Sequence, residues 1–197
     1  MPIPSSQPAT RTPGGARSPR LAPFTFAALA LLVAAGCAHS GTPRTIGLLG
    51  QAGIPITQTP SASIPLEVVT KSTAVPDPLP VDGTELYYAD LEPALGHAVS
   101  SATAPWAADN RDKRPAGWSL LVELTQARAE WHDGRLRIAL NVRATLRTRV
   151  GNNYLAQTHA NCSQAGLVPA SDGAGVVFTC MQRIGRDLAG WLGGVES

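Results

Sequence analysis

Charge is scarce in this sequence. Asp, Glu, Lys and Arg make up 15% of its 197 residues, where soluble domains average roughly 25%. The formal net charge of +2 supplies no basic field able to concentrate nucleic acid, so polyanion partners are disfavoured on bulk electrostatics. Long apolar runs are missing as well: the run from Phe24 to Ala35 has 12 residues, short of the roughly 20 needed to cross about 30 Å of hydrocarbon. Local signatures of chemistry are also absent. There is no Gly-Lys-Ser/Thr phosphate loop, no GxGxxG, no GxSxG elbow and no HExxH helix, and His39, His97, His132 and His159 are scattered without ligand spacing. Each histidine reads as a solvated or hydrogen-bonded structural residue. The chain is therefore read as non-catalytic, with no metal site and no cofactor.

What is present begins at the N-terminus. Met1 to Arg20 carries Arg11, Arg17 and Arg20 with no acid, and the apolar run to Ala35 follows, the order of a secretory signal. The run closes on Val33-Ala34-Ala35-Gly36-Cys37, which resembles the bacterial lipobox, where small residues admit the signal peptidase and the Cys thiol accepts a diacylglyceryl group. That resemblance implies that residues 1–36 are a signal peptide and that Cys37 is the lipidated first residue of the mature chain. The membrane partner is then reached through acyl chains, whose burial contributes about 0.8 kcal/mol per methylene. Ala38 stands where inner-membrane lipoproteins often have Asp, so the same resemblance implies the outer membrane, facing the periplasm. Without residues 1–36 the chain keeps 13 basic and 14 acidic side chains. The apparent basicity belongs to the signal.

Pro43, Pro55, Pro60, Pro65, Pro76, Pro78 and Pro80 interrupt the next stretch, so residues 37–63 are read as a disordered Pro/Thr/Ser-rich tether and 64–194 as a single domain. Ile64 to Thr70 forms a short edge strand. Tyr88, Leu91, Leu95, Val99 and Ala102 recur at helical spacing, which predicts a helix N-capped by Asp90 and ending before Pro105, with Ala107 to Gly117 a solvated loop. Leu120, Val122 and Leu124, then Leu136, Ile138, Leu140, Val142, Leu146 and Val150, alternate on either side of Asp133-Gly134, the signature of a hairpin. Tyr154 to Ser163 returns as a third strand with Tyr154, Ala156, Thr158, Ala160 and Cys162 inward. Val177, Met181, Ile184, Leu188 and Trp191 then mark a second helix, stopped by Gly193-Gly194. These elements define an α+β fold: an antiparallel sheet of three to four strands with two helices packed on one face.

Two sets of residues follow from this arrangement. Cys162 and Cys180 are the cysteines left once Cys37 is lipidated, and an oxidising compartment favours a disulfide between them over two buried thiols. On the wet face of the second hairpin strand lie Arg135, Arg137, Arg143, Arg147 and Arg149. Arg137, Arg143, Arg147 and Arg149 are the candidate binding residues, because a guanidinium matches carboxylates and phosphates bidentately. A merely solvated face is the alternative, with Tyr87, Tyr88 and Trp106 as the other candidate surface.

The lipobox at Cys37, the Pro-rich tether, the helix from Leu91 to Ala102, the strand pair from Leu120 to Val150 and the closing helix from Val177 to Leu192 together resemble the auxiliary lipoprotein of ABC-type transport systems. The resemblance is architectural and spans about residues 64–194. It implies an accessory role in outer-membrane lipid transport, beside a permease, an ATPase and a membrane-anchored substrate-binding protein, with a protein partner in that envelope complex. Similar layouts occur in lipopolysaccharide-assembly lipoproteins and in lipoproteins that activate peptidoglycan synthases, so an envelope-assembly module acting by protein binding is the alternative. An unrecognised periplasmic enzyme is the third class.

Overall fold

The clearest alternation in the sequence becomes the longest pair of strands. A computed structural model describes residues 42–51, 66–110, 117–167 and 173–195, all within one compact unit spanning Gly41–Ser197. In chain order the elements are β1 (Arg44–Gly47), α1 (Leu48–Gln51), β2 (Leu66–Ser72), β3 (Leu79–Asp82), β4 (Leu86–Ala89), α2 (Leu91–Asp109), β5 (Trp118–His132), β6 (Arg135–Thr148), β7 (Tyr154–Leu167) and α3 (Ala174–Gly194). β5 and β6 pair antiparallel from Trp118↔Thr148 to His132↔Arg135. Their turn places Asp133 at φ 50° and Gly134 at φ 71°, the double left-handed conformation that twists with the strands it joins.

The sheet is larger and of mixed sense, which overturns the expected antiparallel sheet of three to four strands. It has seven strands in the order β1-β4-β3-β5-β6-β7, with β2 beside β5. Three pairings are parallel: β1 with β4, β2 with β5 and β3 with β5. β2 and β3 lie along successive halves of β5, Leu66–Ser72 against Trp118–Leu124 and Val81–Asp82 against Ala129–Glu130. A bulge between Leu124 and Gln126 marks the change. The physical reason for the error is strand length. β1, β3 and β4 have four residues each, too few for alternation to register, and Pro43, Pro78 and Pro80 disguise them as linker. Parallel pairing also needs a crossover between strands distant in sequence, which local periodicity does not report. β1 itself arises within the stretch read as tether.

There are three helices among the described residues where two were expected, the short α1 adding to α2 and α3, and the two long ones pack on the sheet and on each other. Leu136, Ile138, Leu140, Val142 and Leu146 of β6, Val177, Met181, Ile184 and Leu188 of α3, and Leu91, Leu95 and Val99 of α2 are buried in one core, with α3 packed on β6 and β7 and α2 on β2 and α3. Burying each such side chain contributes about 1.5–3 kcal/mol. The helices meet closely at Gly185, where an added Cβ would lie 2.8 Å from the Ala98 carbonyl oxygen. The disulfide forms between Cys162 on β7 and Cys180 on α3, Cα atoms 5.7 Å apart, and ties that helix to the sheet.

Several local readings change. α2 runs through Pro105 to Asp109 instead of stopping before it. The lost backbone bond is offset because the last turn seats Trp106 against Trp118, ring centroids 5.4 Å apart, and buries Ala107. Asp90 does sit at the N-cap, but at φ 67° and with no side-chain cap bond; the Glu92 carboxylate instead accepts the Ser72 N–H at 2.9 Å. Val150 and Tyr154, expected inward, are 73% and 62% exposed. The second turn and a bulge at Leu146/Arg147 end the alternation before it reaches them.

Candidate functional site

The face of the sheet opposite the helices is built by register. Glu67, Val69 and Lys71 of β2 lie beside Ser119, Leu121 and Glu123 of β5. Those three stand opposite Arg147, Thr145 and Arg143 of β6, which in turn face Tyr154, Gln157 and His159 of β7. Farther along, Glu130 pairs with Arg137, and Arg137 with Ala165. The strand alternation thus brings Arg137, Arg143 and Arg147 onto one face, and Arg149 follows the end of β6.

Their surroundings are not alike. Arg143 Nε donates to Glu123 Oε2 at 2.7 Å, with the Glu123 side chain only 13% exposed. That hydrogen bond, followed by the positive charge of Arg143 and the neighbouring Lys71 and Arg147, holds the Glu123 carboxyl below its ordinary value of 4.5, while the Arg143 guanidinium is raised by the same partner. Arg149 Nε lies 3.3 Å from Glu67 Oε2. Arg147 donates through Nη1 to Asn152 Oδ1 at 3.3 Å, and its Nε is buried with no hydrogen-bond partner among the described residues. Arg137 is exposed; its cross-strand neighbour Glu130 is engaged instead by Arg128 at 2.7 Å. The row is therefore two ion-paired guanidiniums, Arg143 and Arg149, and two whose donors are not committed to a carboxylate among the described residues, Arg137 and Arg147.

The other candidate surface does not form. Tyr88 is fully buried on β4, with its phenol against Gly173, and Trp106 is packed on Trp118. Tyr87 alternates with Tyr88 and is half-buried, so the three share no face. His132 sits at the hairpin turn, Nε2 3.2 Å from Asp133 Oδ2, and His159 is exposed beside Arg143. Among the described residues no group of His, Cys, Asp or Glu is arranged to hold a metal ion. His39 and Cys37 lie outside the described residues, as does the whole signal segment. No helix among the described residues is long and apolar enough to cross a membrane.

A groove of about 420 Å³ runs between α2 and α3 on their outer side, lined by His97, Ser101, Phe178, Gln182 and Arg186 over Ala98 and Ala102. Ser101 Oγ and His97 Nε2 are 3.5 Å apart. The groove depends on the crossing at Gly185, a contact between residues 98 and 185 that no local pattern encodes.

No protein-family model matches the chain, and no curated protein matches it. Among solved structures it is similar to protein XCC0632 from Xanthomonas campestris, a DUF330 protein: 12% identity, TM-score 0.51, covering 78% of this chain and 96% of that one. Weaker likenesses are to a Caulobacter crescentus CB15 protein provisionally described as a lipoprotein, at 15% identity and TM-score 0.39 over 64% of this chain and 90% of that one, and to the hypothetical protein CT253 from Chlamydia trachomatis, at 12% identity and TM-score 0.40 over 66% and 96%. The first establishes a shared fold.

Proposed function

We propose that this protein is a non-catalytic, lipid-anchored lipoprotein of the bacterial envelope, held at the outer membrane through Cys37 and facing the periplasm. In this reading it serves as the accessory component of an ABC-type lipid transport system. The observation that carries the binding role is the sheet face left open by the helices, where the exposed Arg137 is uncommitted to any carboxylate among the described residues and the half-buried Arg147 on the same face bonds an amide oxygen rather than a carboxylate. Such guanidiniums suit anionic groups of a partner protein or a lipid headgroup. The ordered signal and lipobox support the anchor, and the XCC0632 fold is compatible with it.

The test replaces Arg137 and Arg147 with Ser, leaving the Arg143–Glu123 pair intact. Folding should change by no more than about 0.5 kcal/mol at exposed Arg137 and by about 1 kcal/mol at half-buried Arg147, which gives up its hydrogen bond to Asn152. Photocrosslinks placed at those two positions in the envelope should return a permease, its ATPase or its membrane-anchored substrate-binding protein, and the double variant should weaken that association and raise envelope permeability. Unchanged permeability and association with normal folding would reduce the row to a solvated face. Crosslinks to a peptidoglycan synthase would replace the transport reading with the activator one. The anchor is checked separately, by mass spectrometry of the N-terminal peptide for acylated Cys37.

A further inference from the structure

The edges of this sheet are guarded unequally. β1 has four residues and follows Pro43, and β2 carries Glu67 and Lys71. Short length, proline and charge are the usual means by which an edge strand avoids pairing with another chain. β7 has none of these three: its 14 residues include no Asp, Glu, Lys, Arg or Pro, its bulge at Leu155 lies at its very start and leaves residues 156–167 regular, and among the described residues it pairs with β6 alone. Large exposed apolar side chains also gather there. Tyr154, Leu155 and Leu167 all lie on β7, Leu155 at 40% and Leu167 at 75% exposure.

A second copy of the same strand meets these features. Two copies related by a two-fold axis perpendicular to the sheet run antiparallel, and directly opposed residues then project from the same face, so their numbers must share parity. The register centred on Asn161 satisfies that condition. Asn161 faces itself, His159 faces Ser163, Gln157 faces Ala165, and Leu155 faces Leu167 of the second copy. The bulged Leu155 at one end of the ladder comes level with the exposed Leu167 at the other, polar residues meet in the middle, and no like charges are opposed. Regular pairing over residues 156–166 provides about ten backbone hydrogen bonds, within the roughly 10 ± 5 typical of specific interfaces.

We propose that the protein forms a two-fold dimer by antiparallel pairing of β7 with β7 of a second copy, in register about Asn161. The axis keeps both open sheet faces on the same side, so the dimer presents two Arg rows as one surface. The pairing is independent of Cys37 and of the transport reading.

The test uses the full chain in its native envelope, with Asn161→Cys and a short bismaleimide, which bridges free thiols without reshuffling the Cys162–Cys180 bond. Directly opposed positions have Cβ atoms about 4.5–5.5 Å apart, so this single substitution should give a crosslinked dimer on denaturing gels. Ala139→Cys, exposed on β6 and a strand removed from the axis, should not. In sedimentation of the detergent-purified protein, Asn161→Lys should raise the dimer dissociation constant at least tenfold with unchanged circular dichroism. A monomeric Asn161→Cys sample, equal crosslinking from Ala139→Cys, or a dimer indifferent to Asn161→Lys would overturn the proposal.

Discussion

Glu123 is the residue where the chemistry of the open face can be read most directly. Its carboxyl is held below the ordinary value chiefly by the hydrogen bond from Arg143. A folded-state value below the unfolded one means that the unfolded chain binds the proton more readily, so the contribution is complete above pH 4.5 and lost as pH falls through the depressed folded value. Thermal midpoints followed from about pH 6 to pH 3 should therefore fall less steeply for Glu123→Gln than for the native chain. At the helix crossing, Gly185→Ala pushes a methyl group to 2.8 Å from the Ala98 carbonyl oxygen and 3.1 Å from the Ala102 Cβ. Denaturant unfolding should show a loss of about 1–3 kcal/mol, the range of overpacking in tight cores. Both positions belong to pairs distant in sequence. The alternation of β6 placed Arg143 outward, yet nothing local identified Glu123 as its partner, because that choice depends on the register of β5 against β6.

Among the elements, the β5–β6 hairpin and the bridge from β7 to α3 were legible because their signals are local or compositional. Asp133-Gly134 is a sequence signature for a left-handed turn, and Gly134 takes φ 71° as that turn requires. Replacing Gly134 with Ala should cost about 1–2 kcal/mol, the penalty of a left-handed residue bearing a Cβ, although open space surrounds the site; chemical denaturation measures it. The disulfide closes a loop with a sequence separation of 18. Loop-closure entropy then assigns it about 3 kcal/mol, to be read as the loss on changing Cys162 and Cys180 together to Ser. Resistance of both thiols to alkylation in the unreduced native protein checks the bond itself. Helix α2 was harder, since Pro105 is a strong local stop and only the packing of Trp106 on Trp118 explains why the helix continues.

At the scale of the whole molecule, the stretch read as tether supplies part of the sheet. Ile46 and Leu48 are 3% and 2% exposed, and β1 pairs in parallel with β4 from Arg44↔Leu86 to Gly47↔Ala89. Ile46→Ala should therefore destabilise the entire domain by about 2–5 kcal/mol in one cooperative transition, as for other buried aliphatic truncations. Calorimetry would show an unchanged midpoint if those residues were mere linker.

By itself the sequence determined the elements whose instructions are local: the alternating strands β5, β6 and β7, the apolar stripe of α3, the Asp-Gly turn and the inward positions of Leu136, Ile138, Leu140, Val142 and Leu146. Each follows from a repeat of two or of three to four residues, readable over one segment. Tertiary structure alone decided the three four-residue strands β1, β3 and β4, the parallel sense of three pairings, the partners of the arginines and the groove between α2 and α3, whereas β2 already showed as the short edge strand from Ile64 to Thr70. Those features arise from contacts between segments tens of residues apart. The free energy that selects them is released only when the helices and the sheet bury a common core, so no single segment carries a record of it.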